Sequence, residues 1–256
     1  MDRNRKRKIS ITVLAISAIA LYAAIIVLPL CYAERLGTQF VPAFITAGVA
    51  VATGIVALFK DSIWQKINEP HIIIELHPRD KRDCHLTAIT LQGSQKKLTD
   101  AYYFRLRIVN NGWTTAEEVE VSIEEVRSFF EDDYYVDQRY MPLRLKWSHN
   151  DVQPYLAIPP GTFRHCDFGH VLKTNYRLGD IECHAMEDKY YLFWLDVYLR
   201  PNAARTAMLP GQFEIVVSAF GKNVQKTSAI IKLDWKGIWC EDSDALYNNC
   251  IKIELE

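Results

Sequence analysis

The chain has 256 residues, of which 24% are charged and 49% hydrophobic, a balance in the ordinary globular range that excludes disorder over most of its length. The net charge is −1, yet five Arg and Lys residues crowd into the first eight, "MDRNRKRK", so a nucleic-acid footprint spread along the whole chain is excluded. Six cysteines (Cys31, Cys84, Cys166, Cys183, Cys240 and Cys250) include no CxxC pair, and a domain of this size can build a core without staples, so free thiols are expected.

Residues 1–8 form a basic N-terminus, followed at 9–32 by the uncharged run "ISITVLAISAIALYAAIIVLPLCY". At about 1.5 Å per residue this run is long enough to cross a hydrocarbon core of about 30 Å. A short polar loop at 33–39 separates it from a second uncharged run at 40–59, "FVPAFITAGVAVATGIVALF", which is near the minimum length. Residues 60–70 read as a juxtamembrane linker. The expectation is an N-terminal transmembrane helical hairpin.

Orientation follows from the cations at the helix ends. Arg3, Arg5, Lys6, Arg7 and Lys8 precede the first run, Arg35 alone lies between the runs, and Lys60 and Lys66 follow the second. This bias predicts a two-pass inner (plasma) membrane protein with both termini in the cytoplasm. The same five N-terminal cations suit anionic lipid headgroups. The alternative at this end is a signal-peptidase site at Ala33 in "CYAE", against which the preceding apolar run is long for a signal core. On the second run Ala43, Ala47, Ala50, Gly54 and Ala57 fall on one helix face, a candidate helix-packing stripe within the hairpin or between copies. Neither run contains an acidic or basic residue, so nothing suggests a proton relay or an ion-selective path.

Residues 71–256 read as a β-domain. "HIIIEL" at 71–76 and "CHLTAITL" at 84–91 are strands separated by the turn-like "HPRDKRD". From Tyr102 to Ile123 the sequence "YYFRLRIVNNGWTTAEEVEVSI" predicts a hairpin across an Asn-Asn-Gly turn. Phe104, Leu106 and Ile108 share one face, with Arg105 and Arg107 on the other; Val119, Val121 and Ile123 alternate with Glu118, Glu120 and Glu124, so Arg107 is expected across from Glu120. The aromatic and proline-rich segment 128–161 is less regular, with an extra strand expected around Leu143–Trp147.

Further strands are expected at Phe163–Leu172, Tyr190–Leu199, Gly211–Gly221 and Thr227–Trp235. The terminal "IKIELE" reads as an edge strand whose charges limit edge-to-edge pairing. Roughly eight strands and no convincing helix predict a mainly β, antiparallel sandwich, with a closed barrel as the alternative.

The segments "FRLRIVNNGWTTAEEVEVSI" and "LPGQFEIVVSAFGKNVQKTSAIIKLDW" resemble the immunoglobulin-like domains of bacterial surface and membrane proteins, the CARDB type among them. The shared features are a strand ending in N-x-G, a second strand after a small residue, and a P-G-x-[FY] turn opening a late strand. The region from Tyr102 to Trp235 also looks like the soluble part of bacterial two-helix membrane proteins, and the resemblance covers about half the chain. It implies a binding or scaffolding module and carries over no catalytic residue or cofactor. The chain departs from antibody-like domains in having no Cys…Trp…Cys pattern.

Two groups of residues are candidates for a site. His165, Cys166, Asp167 and His170, with Cys183 and His184 downstream, offer metal-ligating and nucleophilic types. At about 3.3 Å per residue along a strand, Cys166 and His170 lie roughly 13 Å apart, too far to share one ion. No metal, cofactor or catalytic residue is therefore expected. The other group is a surface: Tyr190–Leu199 is apolar on both faces, as a strand covered by 128–161 or as an interaction patch would be, and Tyr190, Trp194 and Tyr198 with Phe220 are the candidate partner surface.

The sequence thus points to a non-enzymatic, membrane-anchored binding or scaffolding protein. Its expected partners are the lipid bilayer and a protein, or further copies of itself, and not nucleic acid. The rival readings are a membrane-acting effector or channel-like sensor, and an enzyme built on His165, Cys166 and His184.

Overall fold

The computed structural model describes residues 42–43, 45–51, 53–54, 69–91, 96–140, 142–149, 154–178, 181–199 and 205–256. The chain divides into two compact units, Met1–Ile67 and Asn68–Glu256. In the first, every described residue is helical, and Ala43, Ala47, Ala50 and Gly54 are exposed. A Cβ built on Gly54 would meet no atom within 4 Å. Ala57, the run at 9–32 and the headgroup candidates Arg3, Arg5, Lys6, Arg7 and Lys8 lie outside the described residues, as does part of the run at 40–59. Among the described residues no helix is long and apolar enough to cross a membrane.

The second unit is mainly β. Its first strands are β1 (Ile72–Glu75), β2 (Cys84–Thr90), β3 (Lys97–Asn110), β4 (Ala116–Phe130), β5 (Asp133–Val136), β6 (Leu143–Arg144), β7 (Lys146–Trp147), β8 (Tyr155–Ile158) and β9 (Phe163–Leu172). Then come β10 (Tyr176–Leu178), β11 (Ile181–Cys183), β12 (Met186–Glu187), β13 (Tyr190–Tyr191), β14 (Phe193–Leu195), β15 (Ala207–Met208), β16 (Gly211–Gly221), β17 (Val224–Trp235) and β18 (Ile251–Leu255).

One sheet runs β1-β3-β9-β14-β15, with β2 beside β3 and β7 beside β9; the other runs β18-β17-β16-β4-β5, with β6 and β8 also along β4. The pairings are antiparallel throughout. Two small ribbons, β10-β11 and β12-β13, complete the unit.

Period-2 alternation builds the core. Tyr102, Phe104, Leu106 and Ile108 of β3 point inward, as do Phe213, Ile215, Val217 and Ala219 of β16, and both sets belong to one buried cluster. Trp147 and Trp235 are its largest fully buried side chains. Each buried side chain of this class contributes roughly 1.5–3 kcal/mol, so the inner faces of the two sheets hold the layers together.

The stretch read as a hairpin is not one, because β3 and β4 lie in different sheets and do not pair. The Asn-Asn-Gly corner carries the chain from one layer to the other. A two-residue type I′ turn needs positive φ at both central positions, and neither Asn111 nor Gly112 adopts it. Asn110 locks the corner instead. Its Oδ1 accepts from the amides of His71 at 3.2 Å and Gly112 at 3.0 Å, and its Nδ2 donates to the carbonyls of Thr114 at 2.7 Å and Ile158 at 2.8 Å. Gly112 has no room for a side chain: a Cβ there would lie 2.4 Å from the His71 nitrogen.

The apolar residues of the two strands do face one another, but across the core rather than along a ladder. The expected Arg107–Glu120 pairing is lost as a result. Arg107 turns to Asp80 and Asp83, and Glu120 pairs with Arg144 at 3.0 Å.

Other elements follow the sequence more closely. The strands at Phe163–Leu172 and Gly211–Gly221 keep their expected bounds, the extra strand appears as β6 and β7, and "IKIELE" contributes the edge strand β18. Tyr190–Leu199 is broken into β13, β14 and an isolated bridge at Val197, because the Tyr191 amide donates to the Gly237 carbonyl while β14 joins the ladder of β9.

The cysteines among the described residues divide into two groups, and Cys31 lies outside them. Cys240 and Cys250 form a disulfide, contrary to the expectation of free thiols, because the helical turn from Ser243 to Cys250 folds the chain back between β17 and β18. Cys84, Cys166 and Cys183 are free and buried. Burial pushes the Cys84 thiol up to about 12 and the Cys166 thiol well above its ordinary value. Cys84 and Cys166 should therefore resist a thiol reagent in the native protein and react once urea unfolds it. Mass spectrometry of the labelled peptides checks this, and rapid native labelling of Cys166 would contradict its burial.

Candidate functional site

Two features of the β unit have the makings of a site. The first is the tip of the β4–β5 hairpin, whose ladder ends at Phe130 opposite Asp133 and whose far end extends past the last β16 pair, Phe213 with Ser128. Phe129 is 41%, Phe130 64%, Tyr135 54% and Val136 49% exposed, so both arms of the hairpin present apolar side chains to solvent. Glu131 and Asp132 turn the chain with φ of 47° and 73°, left-handed conformations that side chains other than glycine and asparagine adopt at a cost. Three successive acids, Glu131 to Asp133, thus stand between two aromatic pairs.

A groove of about 510 Å³ runs along the base of this tip, lined in part by Phe129, Val136, Arg139, Arg205, Leu209 and Pro210. Asp137 orders its floor. The Asp137 carboxylate accepts from the Arg139 side chain and, at 2.9 Å, from the Ser128 hydroxyl. The Arg139 guanidinium holds the Asp137 carboxyl down to about 2, against the opposing effect of burial.

This shift makes a pH prediction. The folded value lies below the ordinary carboxylate value of about 3.9, so the contribution of Asp137 to stability is complete above about pH 4 and is lost as pH falls towards 2. Asp137→Asn should flatten the slope of the urea midpoint between about pH 2 and 4. An unchanged slope would remove Asp137 as its source.

The second feature is the outer face of the first sheet, where ionisable side chains stand in cross-strand rows. Glu75, Arg107 and His165 form one row, and Tyr103 with His170 extends another to His85 and Trp194. Asp83, fully buried at the end of the β1–β2 turn, accepts from Arg107 Nε at 2.8 Å, while His165 Nε2 lies 2.9 Å and His77 Nδ1 3.1 Å from its carboxylate oxygens. Arg82 and then Arg107 hold the Asp80 carboxyl well below the usual range. Asp167 takes bonds from Arg105 at 3.0 Å and from Ser148, yet burial still pushes its carboxyl up, with Asp196 adding to the rise. His170 Nδ1 lies 2.9 Å from Asp196, and the Tyr103 ring is tilted against the His170 ring with centroids 5.3 Å apart. Carboxylates, guanidiniums and imidazoles share contacts here, Asp83 alone meeting three, while Asp196 Oδ2 and His85 Nδ1 are buried without a hydrogen-bond partner among the described residues.

No family model matches the chain, and no curated protein matches it. Tyr190, Trp194 and Tyr198 belong to the β13–β14 region, and Trp194 points outward from the first sheet, where its indole donates to the His184 carbonyl at 2.8 Å. Phe220 points outward from the second sheet, so these four residues do not form a single surface. Trp194 packs against the satellite cluster of Ala101, Leu172, Cys183 and Ala185, so the chain around Tyr176–Tyr191, rather than 128–161, covers it.

The metal and nucleophile candidates are also dispersed. Cys166 points into the core and donates to the Lys146 carbonyl, while His165 and Asp167 point outward. Among the described residues no three His, Cys, Asp or Glu side chains are grouped to hold a metal ion. The hairpin tip was the feature missed. Its signal is "FFEDDYYV", two aromatic pairs around an acidic turn with no glycine, inside a segment whose one expected strand lies further on, around Leu143–Trp147.

Proposed function

We propose that the chain is a membrane-anchored, non-catalytic binding module. In this reading the two uncharged runs form a helical hairpin that tethers an immunoglobulin-like β-sandwich to the membrane, with the cation bias favouring the cytoplasmic side and the Cys240–Cys250 disulfide an oxidising one. The sandwich then captures a protein partner with the aromatic tip of the β4–β5 hairpin. The observation that carries this reading is the exposure of Phe129 and Val136 on one face of that tip and of Phe130 and Tyr135 on the other. Exposed aromatics supply large contact area with little rotamer entropy to lose, the character of interface anchors. The acids at the turn favour a partner whose apolar pocket has a basic rim. Tethering would raise the local concentration of such a partner at the bilayer.

The test is a photo-reactive side chain placed at Phe130, with a control at the exposed Lys226, in living cells. One adduct of discrete mass from position 130 and none from the control supports the reading; no adduct, or the same adducts from both, removes it. Orientation is tested with Lys222→Cys and a membrane-impermeant thiol reagent. Labelling only after permeabilisation places the β unit in the cytoplasm, as the cation bias directs, and labelling of intact cells places it outside, where the Cys240–Cys250 disulfide persists.

A further inference from the structure

We infer that β18 is a self-pairing edge and that two copies of this chain join through it, antiparallel, into one continuous sheet. This rests on the edge of the second sheet, which no strand covers among the described residues, and is independent of the hairpin tip. β18 pairs with β17 from Ile251 opposite Trp235 to Leu255 opposite Ile231, and it ends its sheet. Ile230 and Glu256 exchange both backbone bonds, and the Lys236 amide donates to the Cys250 carbonyl. Antiparallel alternation then directs the backbone groups of Cys250, Lys252, Glu254 and Glu256 toward β17, and those of Ile251, Ile253 and Leu255 toward the open side. The Ile251 amide is taken by the Leu246 carbonyl, which leaves its own carbonyl together with Ile253 and Leu255. A groove of about 800 Å³, lined in part by Leu76, Pro78, Asn248, Lys252 and Ile253, runs beside the strand.

The side chains select both the occupant and the register. Ile251 and Ile253 are buried on the inner face, while Lys252 and Glu254 are exposed on the outer face. When a second β18 lies antiparallel and centred on Ile253, the two Ile253 residues exchange backbone bonds, and each Leu255 amide meets the partner's Ile251 carbonyl. Lys252 then faces the partner's Glu254, at the non-hydrogen-bonded positions where cross-strand side chains come closest.

The existing ladders extend this pattern. Glu214 stands beside Lys232, and Lys232 beside Glu254. Across the two-fold axis the row continues with the partner's Lys252 and the partner's Asp234, so the sign alternates at every step. Moving the centre by one residue either way puts Lys252 against itself or Glu254 against itself, and a half-step shift opposes inner and outer faces. Charges on an edge usually discourage pairing. Here they oppose every neighbouring register and favour one.

The test uses the full chain in density-matched detergent micelles. Sedimentation equilibrium should give a dimer for the wild type. Lys252→Glu alone and Glu254→Lys alone should each weaken it at least about tenfold, since both cross-strand pairs become repulsive. An equimolar mixture of the two variants should recover the dimer, because each supplies the charge that the other needs. A monomeric wild type, which would leave the edge to another protein's strand, overturns the inference, as does unchanged mass in the single variants or a mixture that stays monomeric. Should either variant fail to fold, carbodiimide coupling of mixed light and heavy wild-type chains decides instead. A Lys252–Glu254 link joining a light chain to a heavy one is expected, and links confined to single chains overturn the inference.

Discussion

Asp83→Ala is expected to destabilise the β unit by about 3–5 kcal/mol, the range for removing one partner of a buried ion pair. The carboxylate is fully buried, and it anchors Arg107, His165 and His77 together. Its loss leaves the Arg107 guanidinium, only 11% exposed, with Asp80 as its remaining carboxylate. The backbone of Asp83 also takes part, since its carbonyl accepts from the Arg105 amide at 2.8 Å, so the turn and β3 would loosen together. Urea unfolding of the full chain in micelles, followed by tryptophan fluorescence, gives the number. The double variant Asp83→Leu with Arg107→Met should recover part of the loss, because no buried charge is then left without its partner. A loss below about 1 kcal/mol for Asp83→Ala would mean that the network is hydrated and contributes no more than a surface pair.

Asn110→Ala should cost about 3–5 kcal/mol through a different mechanism. The Asn110 side chain is fully buried and serves two amides and two carbonyls at the corner between the sheets. Each orphaned backbone group in such a place costs about 1–3 kcal/mol, reduced where water enters. Asn110→Asp should be nearly as damaging, because it places a carboxylate oxygen against the Thr114 or Ile158 carbonyl. Hydrogen exchange should show the loss first at His71 and Gly112, whose amides donate to Asn110. A variant of wild-type stability would show that the corner is held by β3 and β4 themselves.

These two residues mark the boundary of what a linear reading reaches. Asn110 was visible as part of a turn-forming triplet, and its polar type was the right signal. Whether Asn-Asn-Gly closes a hairpin or bridges two sheets depends on what packs around it, here the chain at Glu69 to His71, which leaves no space beside Gly112. Arg105 and Arg107 were correctly placed on an outward face, but their partners were not. Asp83 is 24 residues from Arg107, and Asp167 is 62 from Arg105. The hairpin tip went unnoticed because aromatics in a loop read alike whether they are covered or exposed.

What the sequence by itself determined is local. Alternation along β3, β9, β16 and β17 set which side chains point inward, because successive residues of a strand face opposite ways whatever lies beside it. The charges of "IKIELE" likewise carried their alternation in one dimension. The tertiary structure decided the rest: which strands share a sheet, which carboxylate meets which guanidinium, which thiols join, and which edge stays open. Those outcomes depend on contacts between residues far apart in the chain, and the closure that brings such residues together is governed by the packing of the whole core.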